Sequence, residues 1–553
     1  MSNPEHYDYV IVGGGVTGLY TAWRILESTK PNFPRVRLYE ATDRLGGRLL
    51  TWKPLGDHAG LRAELGGMRF FSGQKLVSAL IGELGLGPQD IPFFTEGPGL
   101  IWSLRGLRMA AGDVHTANTR YMLKDNEQGK SPFDLLNDLV NQVLAANGVP
   151  TPPTTWEGWD ELKKNLFYKG QNLWKVGFWN LIYDILSPEA YRYIVDAFGY
   201  YTPTLNWNAA EAFQSISLDF TTNPAYRTLT EGYDQIPRTL EKRVREMAPD
   251  VISTGSSVAS FDNTGHGVEL TFEDSRPPVT TDRLVLTMSR TALESLHPTK
   301  TFDLHNNTRL RGLVRSVRPY PAFKLFLYFD HRWWEDHGFG GQRIEHGRSV
   351  SDLPIRQTYY LRPDACEGAG PCPPHGLIMA SYDDSIAVDF WRGLEFPDDE
   401  KKVYDDTLSD MVRQMVAQLA VAEMPTDEHV DPPPVLHRAP KLMIYHARAQ
   451  LALLHGIPLV QVPETEWGAY ADWSLDPYGG GWHFWEPQVD APATMPEIRK
   501  PIQDAPVYIA GETYSGVQGW VEGSLTTAEH VLFDHLGIER PEWITKNVTY
   551  FGP

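Results

Sequence analysis

The stretch from Tyr7 to Arg48, YDYVIVGGGVTGLYTAWRILESTKPNFPRVRLYEATDRLGGR, constrains the fold more than any other. It opens with an apolar run, Tyr9 to Val12, of the length of a buried parallel strand. Gly13, Gly15 and Gly18 then spell G-x-G-x-x-G, and a helical pattern follows through Leu19, Ala22, Trp23 and Leu26. A second apolar strand, Val36 to Tyr39, ends on Glu40. Strand, glycine turn, helix, strand and acid in this order form the dinucleotide fingerprint in its full context. Gly13 permits the tight turn, Gly15 lets backbone approach a pyrophosphate, and Gly18 lets helix pack on strand. The helix start at Val16 and Thr17 offers N–H groups and a positive dipole end to phosphates. Glu40 stands where a carboxylate accepts hydrogen bonds from a ribose diol.

Arg44, Gly46, Gly47 and Arg48 follow directly from Glu40, and AELGGMRFF comes next at Ala63 to Phe71. Near the other end, PVYIAGETYSGVQGWVEGSLTTAEHVL repeats the physical logic of the opening motif: a strand end, a tight turn, and a helix N-terminus facing an anion or a carbonyl dipole. With these residues the chain resembles the flavin-dependent amine oxidases, and within them the L-amino acid oxidases, over almost its whole length.

The resemblance implies FAD, held non-covalently, since no cysteine lies near the C-terminal motif. It places Glu40, Ala41, Arg44, Gly47 and Arg48 on the cofactor, with Gly66, Gly67, Met68 and Arg69 after them. It puts the Val258 backbone near the adenine and Gly511 and Glu512 near the ribityl-phosphate side. Gly519, Trp520, Val521 and Ser524 then set a helix under the flavin, with Gly519 and Trp520 also flanking the substrate amine. Arg69 and Tyr382 share the substrate carboxylate, and Lys324 holds a water near the reactive flavin nitrogen, assisting reaction with dioxygen.

The implied fold is mixed α/β in three parts. A Rossmann-like FAD-binding domain is assembled from the discontinuous segments 1–60, 226–318 and 500–553. A β-sheet substrate-binding domain takes 61–115 and 319–499, and a helical insertion takes 116–225. The length supports division, because 553 residues are too many for a single core. Local patterns agree with it. SPFDLLNDLVNQVLAANG has helical spacing with Ser131 as cap and Pro132 in the first turn. GVELTF alternates as a strand, and Asp398 to Glu423 reads as one helix leading to the connector DPPPV. The tryptophan-dense WGAYADWSLDPYGGGWHFWEP reads as a loop, by its turn chemistry, that lines a site.

Charge and cysteine usage narrow the partners. A formal charge of −20 argues against nucleic acid and against an anionic membrane surface. No apolar run reaches the length of a membrane span. The start MSNPEHYDYV has no basic and apolar leader, so the reading is cytoplasmic, as a homodimer or higher homo-oligomer. The two cysteines, Cys366 and Cys372, do not make a metal site. Two free loop thiols are expected in a cytosolic protein, with a short disulfide as the alternative.

Lys324 interrupts the apolar strand PAFKLFLYF, where an ammonium is costly to bury and calls for a task; an edge-strand or snorkelling lysine is the alternative. Arg69 can grip a carboxylate through two parallel charge-assisted bonds. It therefore points to α-amino acids, with hydride passing from the α-carbon to the flavin and imino acid, keto acid, ammonia and hydrogen peroxide following. Asp384, two residues beyond Tyr382 and on the same strand face, could meet a cationic substrate side chain, although a solvent-facing or backbone-capping aspartate is the ordinary reading. The 17 tryptophans point instead to a broad range that includes aromatic substrates. Open alternatives are a tryptophan monooxygenase, a monoamine or polyamine oxidase, and a flavin-binding protein without turnover.

Overall fold

The computed structural model describes residues 4–53, 60–218, 225–363, 366, 372–395, 436–465, 467–475 and 479–553. The helix read over Asp398 to Glu423 and the DPPPV connector lie outside the described residues.

The opening motif folds as its pattern requires. The strand Glu5–Val12 pairs in parallel with Val36–Tyr39 on one side and with Val279–Leu286 on the other. Val10 and Ile11 are fully buried, because helices and further strands cover both faces of the sheet. Val507–Ile509 adds a parallel strand beside Val279–Leu286, Ile252–Ser253 lies outside Val36–Tyr39, and Val268–Phe272 and Val258–Asn263 close the sheet antiparallel. Seven strands from three separate stretches of chain thus make one sheet.

Between the first two strands runs the helix Val16–Ser28. A Cβ on Gly18 would sit 1.9 Å from the Gly13 carbonyl oxygen, so only glycine allows this helix to meet its strand so closely. Against it packs the closing helix Val521–His530, and a buried ion pair joins the two: Arg24 Nη1 lies 2.7 Å from Glu529 Oε1, with side chains 2% and 0% exposed. Tyr20 donates its hydroxyl to the same Glu529 oxygen at 2.6 Å. The N-terminal and C-terminal motifs are therefore locked together by a charge that has no access to water.

The second sheet has eight strands, in the order His437–Arg438, Trp467–Asp472, Ala322–Phe329, Gly376–Asp384, Gln357–Leu361, Gly347–Ser351, Ile101–Leu104 and Leu107–Ala110. Every residue of Ala322–Phe329 is buried, with a partner strand on each side. Lys324 is thus central, and the edge-strand alternative is excluded. The tryptophan-dense stretch also differs from the loop expected. It contributes two strands, Trp467–Asp472 in this sheet and Trp482–Trp485 paired with Val317–Tyr320, and the turn residues lie between them.

The helical region holds Pro132–Ala146, Trp156–Lys163, Phe178–Ile185, Pro188–Phe198 and Ala209–Leu218. Ser131 caps the first of these in a capping box with Asp134. Ser187 caps the fourth by accepting from the Ala190 N–H.

Cys366 and Cys372 are bonded to each other, which corrects the expectation of free thiols. Their Cα atoms lie 4.4 Å apart, within bridging reach, a separation that sequence spacing alone does not fix. Among the described residues no helix is long and apolar enough to cross a membrane.

Replacing Glu529 by Gln leaves the buried Arg24 guanidinium without its counter-charge. Loss of one partner of a buried pair costs roughly 3–5 kcal/mol. Chemical denaturation of Glu529→Gln should show a fall of that order, and an unchanged midpoint would mean that the pair does not hold the two helices.

Candidate active site

A cavity of about 580 Å³ lies between the glycine turns of the first sheet and one face of the second. Gly13, Gly15, Val16 and Thr17 form one end of its wall, with Glu40, Ala41, Gly47 and Arg48 beside them. Backbone surfaces meet here with no room for side chains: a Cβ on Gly47 would approach Gly15 Cα to 3.1 Å, and one on Gly66 would reach within 1.9 Å of the Arg48 carbonyl oxygen. Glu40 is held in place, accepting from the Gly14 N–H at 2.6 Å and from the N–H and hydroxyl of Thr42 at 2.9 and 2.7 Å. Val258 lines the same end.

Three residues expected on the cofactor stand behind this wall. Arg44 turns its guanidinium onto the Leu45 and Gly47 carbonyls and braces the glycine turn from outside. Gly18 serves the packing of helix on strand. Gly511, at φ +146°, donates its N–H to Thr527 Oγ1 and lets the chain turn from strand Val507–Ile509 towards Glu512.

Glu512 organises the middle of the cavity. It accepts from the N–H groups of His483 and Gly519 at 3.0 and 2.9 Å, pairs with Arg48 at 2.8 Å, and meets His483 Nδ1 at 3.0 Å. Burial works against its charge, but Arg48, His483 and the Gly519 N–H outweigh burial and hold its pKa well below the usual carboxylate range. Gly519, Trp520, Val521 and Ser524, from the start of the closing helix, line the adjoining wall.

Arg69 and Lys324 bring the two cations of the far end. Arg69 Nη1 donates to the Tyr359 hydroxyl at 3.0 Å, and its guanidinium lies 4.1 Å from the centre of the Tyr226 ring and 5.3 Å from that of Phe93. The ionisable side chains that act on it most are the tyrosines 359, 226, 200 and 382, and among the described residues no carboxylate forms an ion pair with it. Lys324 Nζ donates to the carbonyls of Glu64 and Gly66 at 2.8 and 2.6 Å and lies 4.6 Å from the centre of the Tyr382 ring. Burial drives its pKa down and that of the neighbouring Glu64 carboxyl up. Gly66, Gly67, Met68 and Tyr382 complete this end. Burial raises the Tyr382 pKa, so its hydroxyl remains a neutral donor.

Asp384 is not a wall residue, which corrects its placement beside the substrate. Its oxygens are taken by the N–H groups of Tyr201 and Thr202 at 2.8 and 2.7 Å and by the Thr202 hydroxyl. It caps the segment that follows the helix Pro188–Phe198. Alternation along the strand was read correctly, but a distant segment claims the carboxylate. Tyr200, Tyr226 and Trp482 also line the cavity and were not singled out from sequence. Only Trp482 carried a signal, through the density of tryptophan around it.

This chain matches the flavin containing amine oxidoreductase family over residues 16–532 and belongs to it. It is therefore a flavoprotein oxidoreductase with an FAD-binding α/β fold. It is 25% identical to L-amino acid oxidase Lm29 of Lachesis muta over 405 residues, 72% of this chain and 69% of that protein. It is 24% identical to aplysianin-A of Aplysia kurodai over 558 residues, 96% of this chain and 90% of that one. A solved structure of wild-type putrescine oxidase bound to putrescine shares the fold, with a TM-score of 0.62 at 15% identity over 96% of this chain and 99% of that one.

The residues present fit a bound flavin dinucleotide. Close glycine backbones and a helix N-terminus suit a pyrophosphate, and Glu40 keeps acceptor capacity for a ribose.

Because the native pKa of Glu512 lies below its unfolded value, the stability it contributes is complete above the ordinary carboxylate range. It is lost as the pH falls through the lowered native value. The difference in Tm between wild type and Glu512→Gln should thus be greatest near neutral pH and shrink as the pH is lowered towards 3. A difference independent of pH would contradict the charged cluster.

Proposed function

We propose that the protein is an L-amino acid oxidase, converting its substrate to the 2-oxo acid, ammonia and hydrogen peroxide with dioxygen as acceptor. The observation that carries this reading is Arg69: a half-buried guanidinium at the cavity wall that, among the described residues, forms no ion pair with a carboxylate. A charge taken out of water needs compensation, and a substrate carboxylate supplies it. A diamine such as putrescine has none to offer and would be repelled. The match to proteins named L-amino acid oxidase supports the same substrate class.

When bound, FAD supplies a two-electron acceptor that takes hydride from the α-carbon and returns the electrons to dioxygen. The protein's part is orientation and electrostatics. Arg69 and the Tyr382 hydroxyl hold the carboxylate, which fixes the α-hydrogen in one direction and so selects the L enantiomer. The Tyr226 and Phe93 rings beside Arg69 cover part of its guanidinium. Lys324, anchored on two backbone carbonyls, would bring a basic nitrogen and its N–H donors to where reduction of dioxygen develops negative charge. Water then hydrolyses the released imino acid.

FAD is held without a covalent bond in this proposal. Both cysteines are bridged to each other and stand outside the cavity wall, so acid precipitation should release intact FAD. The tryptophan monooxygenase reading keeps Arg69 in the same role and differs in product, the amide with carbon dioxide.

Arg69→Ala should keep its FAD while kcat/KM for L-amino acids falls. Truncating one partner of a desolvated charge pair costs roughly 2–5 kcal/mol, or about one and a half to nearly four orders of magnitude. An alanine variant with full activity would overturn the amino acid reading. Lys324→Met should slow flavin reoxidation by dioxygen more than flavin reduction by substrate. Rapid mixing separates the two half-reactions, and an unchanged reoxidation rate would remove this role.

A further inference from the structure

The helix Pro188–Phe198 ends at Gly199, in the left-handed region at φ +75°, and the chain then runs along the cavity wall with Tyr200 and Thr202 exposed to it. Three contacts pin this segment to the second sheet. Gln357 donates to the Gly199 carbonyl at 3.2 Å, Arg356 donates to the Val195 carbonyl, and Asp384 takes the N–H groups of Tyr201 and Thr202. The Tyr200 ring then stands edge-on to Tyr382 at 5.3 Å and to Trp482 at 6.3 Å, while Tyr382 and Trp482 meet edge to face at 6.4 Å. Three aromatic side chains from three separate elements form one wall beside Arg69.

The indole of Trp482 makes one polar contact here: Nε1 donates to Thr202 Oγ1 at 3.2 Å. A threonine hydroxyl has one proton to give, and this one gives it to Asp384. Its lone pairs are thereby left facing the indole N–H. Asp384 is fully buried, and neither of its oxygens is left to a substrate. Its charge acts by fixing the direction of the Thr202 hydroxyl.

We propose that Asp384 and Thr202 are positioning residues that fix the indole of Trp482, and that the resulting Tyr200–Tyr382–Trp482 wall gives the enzyme a preference for L-amino acids with aromatic side chains. The proposal rests on the L-amino acid oxidase reading of the same cavity. It accounts for an aspartate next to the substrate end whose oxygens are taken by its own chain, and it makes the helical segment part of the specificity of a site built mainly by the two sheets.

Thr202→Val keeps the volume and removes the hydroxyl, whereas Thr202→Ser keeps the hydroxyl. The ratio of kcat/KM for L-phenylalanine over L-alanine is measured in both, in Trp482→Phe and in the double variant Thr202→Val/Trp482→Phe. Binding of benzoate against acetate, followed in the flavin absorbance of the holoenzyme, gives the same comparison without turnover. Coupling through a shared hydrogen bond predicts a fall of about fivefold in both ratios for Thr202→Val. Thr202→Ser should stay near wild type, and Thr202→Val should have no further effect once Phe stands at 482. Unchanged ratios in Thr202→Val, or an equal fall in the Trp482→Phe background, would overturn the proposal, as would a wild type that favours neither phenylalanine nor benzoate. In these assays the oxidase reading fails if neither L-amino acid is oxidised, so the two failures are distinguishable.

Discussion

Buried charge is the constraint on which this site depends. Each ionised group taken out of water must find compensation, and the several solutions here divide the labour of the cavity. Arg24 and Glu529 compensate one another and join the two motif helices. Glu512 is compensated by Arg48, His483 and backbone N–H groups, which ties the strand Trp482–Trp485 to the start of the closing helix. Lys324 spends its protons on the backbone of Glu64 and Gly66. Arg69 alone of these is compensated by rings and hydroxyls. The structural charges are closed pairs or clusters, while the charge assigned to substrate is left open to it.

The parts of the fold readable from sequence are those set by neighbours along the chain. Tyr9 to Glu40 declares its strand, turn, helix and strand through local periodicity and through glycines whose Cβ atoms would collide with backbone. Ser131 and Ser187 announce their helices by capping chemistry. What escaped was long-range. Nothing near Lys324 says whether its strand is central or at an edge; that is decided by Trp467–Asp472 and Gly376–Asp384, far along the chain. The loop reading drawn from DPYGGG was extended over the strands Trp467–Asp472 and Trp482–Trp485 that flank it.

The site divides in the same way. Gly13, Gly15, Glu40, Arg69 and Gly519 were legible because each sits in a short motif. Tyr226 and Tyr359 were not, because ordinary strand tyrosines acquire a role only when the fold brings Arg69 between them. For Asp384 the strand face and a capping role were both open to sequence, but the backbone it caps was not. Its partners, Tyr201 and Thr202, arrive from the end of a helix that no pattern around Asp384 could reveal.

The central claim is that the substrate is recognised by its carboxylate. The most direct measurement compares the wild-type holoenzyme on L-phenylalanine and on its decarboxylated counterpart, phenethylamine, following peroxide and keto acid. The account predicts ready oxidation of the amino acid, with equal peroxide and keto acid when peroxide is not consumed, and kcat/KM lower by about one and a half orders of magnitude or more for the amine. Oxidation of phenethylamine at a comparable kcat/KM would contradict it and return the protein to the amine-oxidising members of its family.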